Sequence, residues 1–153
     1  MHLIQKESLS LVLRWLLEAV FVIGVLILIF LYEILTHYYM WYFGGDSTFL
    51  ISMSVLLYFT GFDGLVIIRM LIGLFDDIHH CKPFVLKNAM RLKYISICCF
   101  IAGVAFLTHC FIYPSIVKGA VTFIIFIAAL ACQIVSQLFY QAVDYKSEND
   151  LTV

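Results

Sequence analysis

Four long apolar runs constrain the fold more than any other feature of the sequence. They cover residues 11–35, 48–75, 94–113 and 119–143. A helix needs about 20 apolar residues to cross the hydrocarbon core of a bilayer, so each run is long enough to span a membrane. Only 12% of the 153 residues are charged, against about 25% in a soluble domain. The sequence therefore predicts an all-α, single-domain polytopic membrane protein, with four transmembrane helices in a bundle.

Turn-forming residues separate these runs. Gly44-Gly45-Asp46 lies between the first two, and Pro114-Ser115 lies between the last two. The polar stretch "FDDIHHCKPFVLKNAMRLKYI", residues 75–95, is expected to be the loop between the second and third spans. Pro83 is expected to start the helix that leads into the third span, because a missing N–H costs nothing there.

The basic residues predict the orientation of the four spans. Lys and Arg concentrate on the cytoplasmic side of membrane proteins. Lys118 falls on one side, and the other eight of the nine basic residues fall on the opposite side: Lys6, Arg14, Arg69, Lys82, Lys87, Arg91, Lys93 and Lys146. Both termini and the central loop are therefore predicted to be cytoplasmic.

Asp63 lies near the middle of the second span. A carboxylate there costs at least about 2.5–3.5 kcal/mol on membrane-insertion scales. It is expected to face the bundle interior, where the small residues Gly61 and Gly64 allow a neighbouring helix to come close. Two interpretations remain: a proton, ion or ligand site, or a structural hydrogen bond between helices.

Other polar residues of the spans extend this predicted intramembrane site. Arg14 and Glu18 are four residues apart and share a helix face, and Arg69 is expected at the same end of the bundle. The alternative for Arg14 and Arg69 is that they extend to the interface. Gln133, Gln137 and Gln141 recur every four residues and form a stripe, which either bonds to another helix or lines a small polar cavity.

Neither a metal site nor a catalytic site is predicted. His79, His80 and Cys81 are competent metal ligands with Asp76, but zinc sites usually need a second, separated ligand pair. His37 and His109 are interpreted as interfacial histidines rather than ligands of haem or a metal. The chain has no G-x-S-x-G, H-E-x-x-H or P-loop motif. We expect no enzymatic activity, no cofactor and no direct nucleic-acid binding.

Two segments carry a resemblance to a known family. They are "CKPFVLKNAMRLKYISICCFI", residues 81–101, and "QLFYQAVDYKSENDLTV", residues 137–153. The P-F-x-x-x-N start, the R-L-K triplet and the ending Y-K-x-E-N-D-L-T resemble small bacterial four-span membrane proteins, the domain-of-unknown-function family 2975. Members are often encoded beside a small Cro/C1-type helix-turn-helix regulator. The resemblance implies such a DNA-binding protein as a partner, besides membrane lipids.

Two functions follow as hypotheses for a multi-pass protein of the bacterial cytoplasmic membrane, and both leave assembly into oligomers open. The first is a non-enzymatic sensor or regulator that docks a cytoplasmic regulator. The docking residues would be Lys82, Lys87, Arg91, Lys93, Tyr145, Lys146, Glu148, Asn149 and Asp150. The second is a small transporter, channel or immunity-type protein with a polar path at Asp63 and the glutamine stripe.

Overall fold

The computed structural model of this chain describes residues 2–42, 47–79 and 85–151, with side chains within 11–39, 48–79 and 85–148. These residues form four α-helices: α1 (His2–Tyr42), α2 (Ser47–His79), α3 (Leu86–Ile112) and α4 (Ile116–Leu151). Each contains a stretch long and apolar enough to cross a membrane: Leu11–Tyr39, Thr48–His79, Leu86–Ile112 and Ile116–Glu148. The prediction of an all-α protein with four transmembrane helices is confirmed.

Consecutive helices pack against each other and run antiparallel. Arg14 of α1 contacts Asp76 of α2, and Leu28 of α1 lies close to Gly61 of α2. Residue numbers therefore decrease along α2 in the direction in which they increase along α1. We call α1 with α2 the first hairpin, and α3 with α4 the second hairpin; α2 and α3 join them. The terminal end of the bundle carries both termini and the α2–α3 connection. The hairpin end carries the other two connections.

The helices are longer than the apolar runs that predict them. α2 continues to His79, so Asp76 and Asp77 lie on its last turns and not in a loop. α3 begins at Leu86, before its apolar run starts at residue 94, and Val85 precedes it in an extended conformation. Hydropathy marks the part of a helix inside the hydrocarbon, whereas helical hydrogen bonding continues into the headgroup region.

Some predictions fall outside the described residues. They concern the turn at residues 44–46, the helix start at Pro83 and Phe84, the ligand candidates His80 and Cys81, and the side chain of Lys6. Lys82 and the side chains of Asn149 and Asp150 are also outside them.

The second hairpin has a densely packed interface. Ser96 on α3 donates to the carbonyl oxygen of Ala129 at 2.8 Å, and Ser136 on α4 donates to that of Ala89 at 2.8 Å. Both hydroxyls are buried, and Ser136 is 1% exposed. Small residues at such positions let two helix backbones come close, which is the usual basis of helix association in lipid.

The first hairpin is packed more loosely. Its contacts include Leu65 against Gly24 and Leu28 against Gly61. Leu31 is the one buried residue among the described side chains of α1, whereas α3 has eight buried residues. Most of the α1 surface is therefore apolar and exposed, as expected of a helix that lipid solvates.

Candidate functional site

All four helices contribute to one cavity of about 440 Å³. Its wall includes Leu28 of α1, Asp63 of α2, Phe106 of α3 and Ile125 of α4. The volume lies in the range of small-molecule sites, which are mostly apolar with a few polar groups. A molecule in this cavity would touch both hairpins at once.

Asp63 provides the acidic group of the cavity wall. It lies midway along the Thr48–His79 span of α2, as the sequence predicts. The side chain of Cys98 on α3 lies beside its carboxylate. The carboxylate oxygen Oδ2 is buried and has no hydrogen-bond partner within the described part of the chain. A buried polar atom without a partner costs about 1–3 kcal/mol, which a ligand with a donor or a positive charge would offset.

The small residues beside Asp63 have different surroundings. A Cβ on Gly61 would lie 2.6 Å from Cδ2 of Leu28, so α1 comes close to α2 there, as expected. A Cβ on Gly64 would meet nothing within 4 Å. Gly64 thus leaves open space in the cavity next to the carboxylate.

Two charged groups hold the helices together at the terminal end. Arg14 Nη1 donates to Asp76 Oδ1 at 2.6 Å, and its Nε donates to Glu18 Oε1 at 3.2 Å. This group joins α1 to α2, and its ionic side chains are 37–40% exposed. The predicted pairing of Arg14 with Glu18 is present, and the partner across the helices is Asp76 rather than Asp63.

The second charged group joins the two hairpins. Arg91 Nη1 on α3 donates to the carbonyl oxygen of Gly73 at 2.6 Å, to Asp77 Oδ2 at 2.6 Å and to Asn88 Oδ1 at 2.8 Å. Gly73 leaves room for this contact, because a Cβ there would lie 2.8 Å from the guanidinium carbon. Arg91, expected to be a docking residue, is instead 19% exposed and engaged within the bundle.

The remaining predicted site residues lie apart from the cavity. Arg69, Gln137 and Gln141 are exposed and Gln133 is half-buried; none of them is part of the cavity wall. The candidate docking residues with described side chains are exposed, apart from Arg91: Lys87, Lys93, Tyr145, Lys146 and Glu148. Among the described residues, no group of three or more His, Cys, Asp or Glu is placed to hold a metal ion.

Sequence reasoning missed a polar group at the hairpin end. Lys118 Nζ donates to the carbonyl oxygen of Tyr113 at 3.0 Å and lies 3.3 Å from His109 Nδ1. The ammonium also lies 5.3 Å from the ring centroid of Phe49 and 5.8 Å from that of Tyr113, within range of a cation–π interaction. His109, expected at the interface, is 5% exposed. The available signal was its short separation from Lys118 across the Pro114 turn.

Four membrane-spanning helices, packed as two joined hairpins around a cavity with one carboxylate, define a small multi-pass membrane protein. The chain belongs to the family described as "Protein of unknown function (DUF2975)", whose family model matches residues 12–153. This match confirms the resemblance that the two sequence segments carry. No curated protein and no solved structure matches the chain.

Proposed function

We propose that this chain is a non-enzymatic sensor of the bacterial cytoplasmic membrane. An amphiphilic molecule with a hydrogen-bond donor or a positive charge would enter the cavity and pair with Asp63. The bundle would respond by changing the packing between its two hairpins. A small helix-turn-helix regulator, docked on the cytoplasmic side, would receive the signal.

The observation that carries this proposal is the cavity itself. Its wall is formed by all four helices, and it contains a buried carboxylate oxygen that has no hydrogen-bond partner among the described residues. A ligand shifts a conformational equilibrium by the difference between its affinities for the two states. A ligand that touches both hairpins would bind two arrangements of those hairpins with different affinities, because its contacts change when the hairpins move relative to each other.

α2 is the element that would carry the change to the terminal end. Asp63 lies at its middle, and its last turns are bonded to α1 through Asp76 and to α3 through Asp77. A rotation of α2 about its axis would strain both ion pairs. The positive-inside rule supports a cytoplasmic location for this end, because Lys87, Arg91 and Lys93 lie there.

The docking surface would be formed by exposed residues at the terminal end. Lys87 and Lys93 project from α3, and α4 continues as an exposed helix past Tyr145 and Lys146. A partner would thus meet basic side chains beside a mixed-charge helical arm. The family resemblance, with its neighbouring Cro/C1-type regulators, supports a DNA-binding protein as that partner.

The experiment measures copurification of the neighbouring regulator and expression from its promoter. Asp63→Asn keeps the shape of the side chain but removes its charge, so we expect copurification without a response to the signal. Deletion of residues 146–153 is expected to abolish copurification. Gln137→Ala, at an exposed position on α4, is the matched control and should leave both unchanged. Normal transcriptional control by the tail-deleted protein would rule out docking through the tail.

The alternative is a small transporter, channel or immunity-type protein, and the mid-span position of Asp63 favours it. Flux or resistance that disappears in Asp63→Asn but survives the tail deletion would support it. Gln133, Gln137 and Gln141 do not join Asp63 in the cavity wall. This separation is why the sensor is the leading proposal.

A further inference from the structure

A buried hydrogen-bond donor lies at the hairpin end, apart from the Asp63 cavity. The Lys118 ammonium has only donors, so His109 Nδ1, 3.3 Å away, acts as the acceptor. A neutral imidazole whose Nδ1 accepts carries its proton on Nε2. In the described part of the chain, His109 Nε2 is buried with no hydrogen-bond partner. The site therefore has an N–H group that no atom of the described residues accepts.

His109 also lines a groove of about 230 Å³ between α2 and α3. From Ser52 and His109 the groove extends toward the bilayer centre past Leu56 to Phe59. Seven residues of helix, from position 52 to position 59, correspond to about 10 Å. Its walls are chiefly apolar, so it fits the upper part of an acyl chain.

A positive charge completes the site. Among the described side chains, Lys118 has no acidic partner, since the ion pairs involve Arg14 and Arg91. Its contacts are to neutral acceptors and to two aromatic rings. His109 lies three residues before the end of α3 at Ile112, about 4.5 Å along the helix axis. The membrane-spanning stretch of α3 also ends at Ile112, so we place His109 near the interface, where the ester carbonyls of glycerolipids lie.

We propose that this groove binds an anionic glycerophospholipid from the leaflet at the hairpin end. An ester carbonyl oxygen accepts the hydrogen bond from His109 Nε2–H. The phosphate pairs with Lys118, and the upper acyl chain lies between α2 and α3. The site holds the hairpins together at the end of the bundle opposite Arg91.

Lipid binding by the full chain in an alkyl maltoside, measured by native mass spectrometry, tests each contact separately. The probes are diacyl phosphatidylglycerol, its diether analogue without carbonyls, and zwitterionic diacyl phosphatidylcholine. For the wild type we expect the diether analogue to bind about fivefold more weakly, since one hydrogen bond is lost. Phosphatidylcholine is expected to bind several-fold more weakly, because its headgroup has no net charge.

The variants should separate these two preferences. His109→Ala is expected to lose the preference for ester over ether but keep that for phosphatidylglycerol. Lys118→Gln should lose the preference for phosphatidylglycerol over phosphatidylcholine but keep the preference for ester over ether lipids. His109→Gln, whose amide N–H can replace Nε2–H, is expected to retain the ester preference. If His109→Ala does not fold by circular dichroism, His109→Leu, which fills a similar volume, takes its place.

Three results would overturn the proposal, two of them from the phospholipid probes. One is equal binding of ester and ether lipids by the wild type. The other is an ester preference that persists in the histidine variants without a donor. A membrane quinone that displaces the phospholipid, with an affinity that depends on His109, would also refute it by assigning the donor to another class of carbonyl ligand.

Discussion

The two hairpins of this bundle are held together by different means. In the second hairpin, the buried hydroxyls of Ser96 and Ser136 each donate to a backbone carbonyl of the opposite helix. In the first hairpin, leucine side chains pack against Gly24 and Gly61, and the ion pair of Arg14 with Asp76 lies at the terminal end. Helices in lipid associate through close packing and hydrogen bonds, since lipid chains are as apolar as leucine. The second hairpin is therefore the more tightly packed unit, and we expect the first to be the more mobile of the two.

The cavity is bordered by both hairpins, so the difference in their packing affects its walls. It is lined by the loosely packed face of α1 as well as by α2, α3 and α4. At the terminal end, Arg91 of α3 fixes α2 to α3 with two hydrogen bonds, to Gly73 and to Asp77. Movement of the first hairpin would thus change the cavity most along α1, where its walls include Leu28 and Leu31.

Glycine-to-alanine substitutions should show the largest difference between the hairpins. A Cβ on Gly103 would lie 2.9 Å from Cε1 of Phe126, whose ring also packs on Phe100. Since a stiff ring cannot yield easily, we expect Gly103→Ala to lower the free energy of unfolding by about 2 kcal/mol. In Gly61→Ala the obstacle is the end of Leu28, which can rotate into the cavity, so the net change should be close to zero. Detergent-induced unfolding in bicelles, followed by circular dichroism, measures both.

Gly64→Ala is the matched control, because a Cβ there meets nothing within 4 Å. Alanine has a higher helix propensity than glycine, so Gly64→Ala should stabilise the protein by up to about 1 kcal/mol. A loss in Gly61→Ala as large as that in Gly103→Ala would show that the first hairpin is as rigid as the second.

Removing the two serine hydroxyls should have the next largest effect. Interhelical hydrogen bonds in membrane proteins are worth about 0.6 kcal/mol on average. The double variant Ser96→Ala/Ser136→Ala is thus expected to lose about 1.2 kcal/mol on that average. Ser54 is the control in the first hairpin: it is also buried, but its hydroxyl bonds to the Leu50 carbonyl of its own helix. Ser54→Ala should change stability little, and an equal loss there would contradict the assignment.

The sequence predicts the fold far better than the site. Apolar runs of bilayer length predict the four spans. Asp63 is the one acidic residue of the second of these runs, and its position predicts that it faces the bundle interior. Pairing between helices is harder to predict, because any acid at the terminal end is a candidate partner for Arg14 and Arg91. The rotation of each helix about its axis decides which acid faces which arginine. That rotation depends on small residues such as Gly73, whose missing side chain makes room for the Arg91 guanidinium.

The glutamine stripe and the histidine show the same limit. A four-residue period places Gln133, Gln137 and Gln141 on one face but does not say whether that face meets a helix or lipid. The structure leaves Gln137 and Gln141 exposed. His109 is buried instead, because the chain turns at Pro114 and brings Lys118 and the ring of Tyr113 against it. The sequence offers only the short separation of His109 from Lys118 across Pro114, which does not determine how the two side chains meet.

The ion pair of the first hairpin should give the smallest effect. The side chains of Arg14 and Asp76 are 37% and 40% exposed, against 19% and 28% for Arg91 and Asp77. A double-mutant cycle with Arg14→Gln and Asp76→Asn should give a coupling energy of about 0.5 kcal/mol that falls as salt is added. The same cycle with Arg91→Gln and Asp77→Asn should give a larger, less salt-sensitive value, because that pair is better shielded. Equal couplings would mean that the first hairpin is held at its terminal end as firmly as the two hairpins are held to each other, and the proposed mobility of α1 would then need another origin.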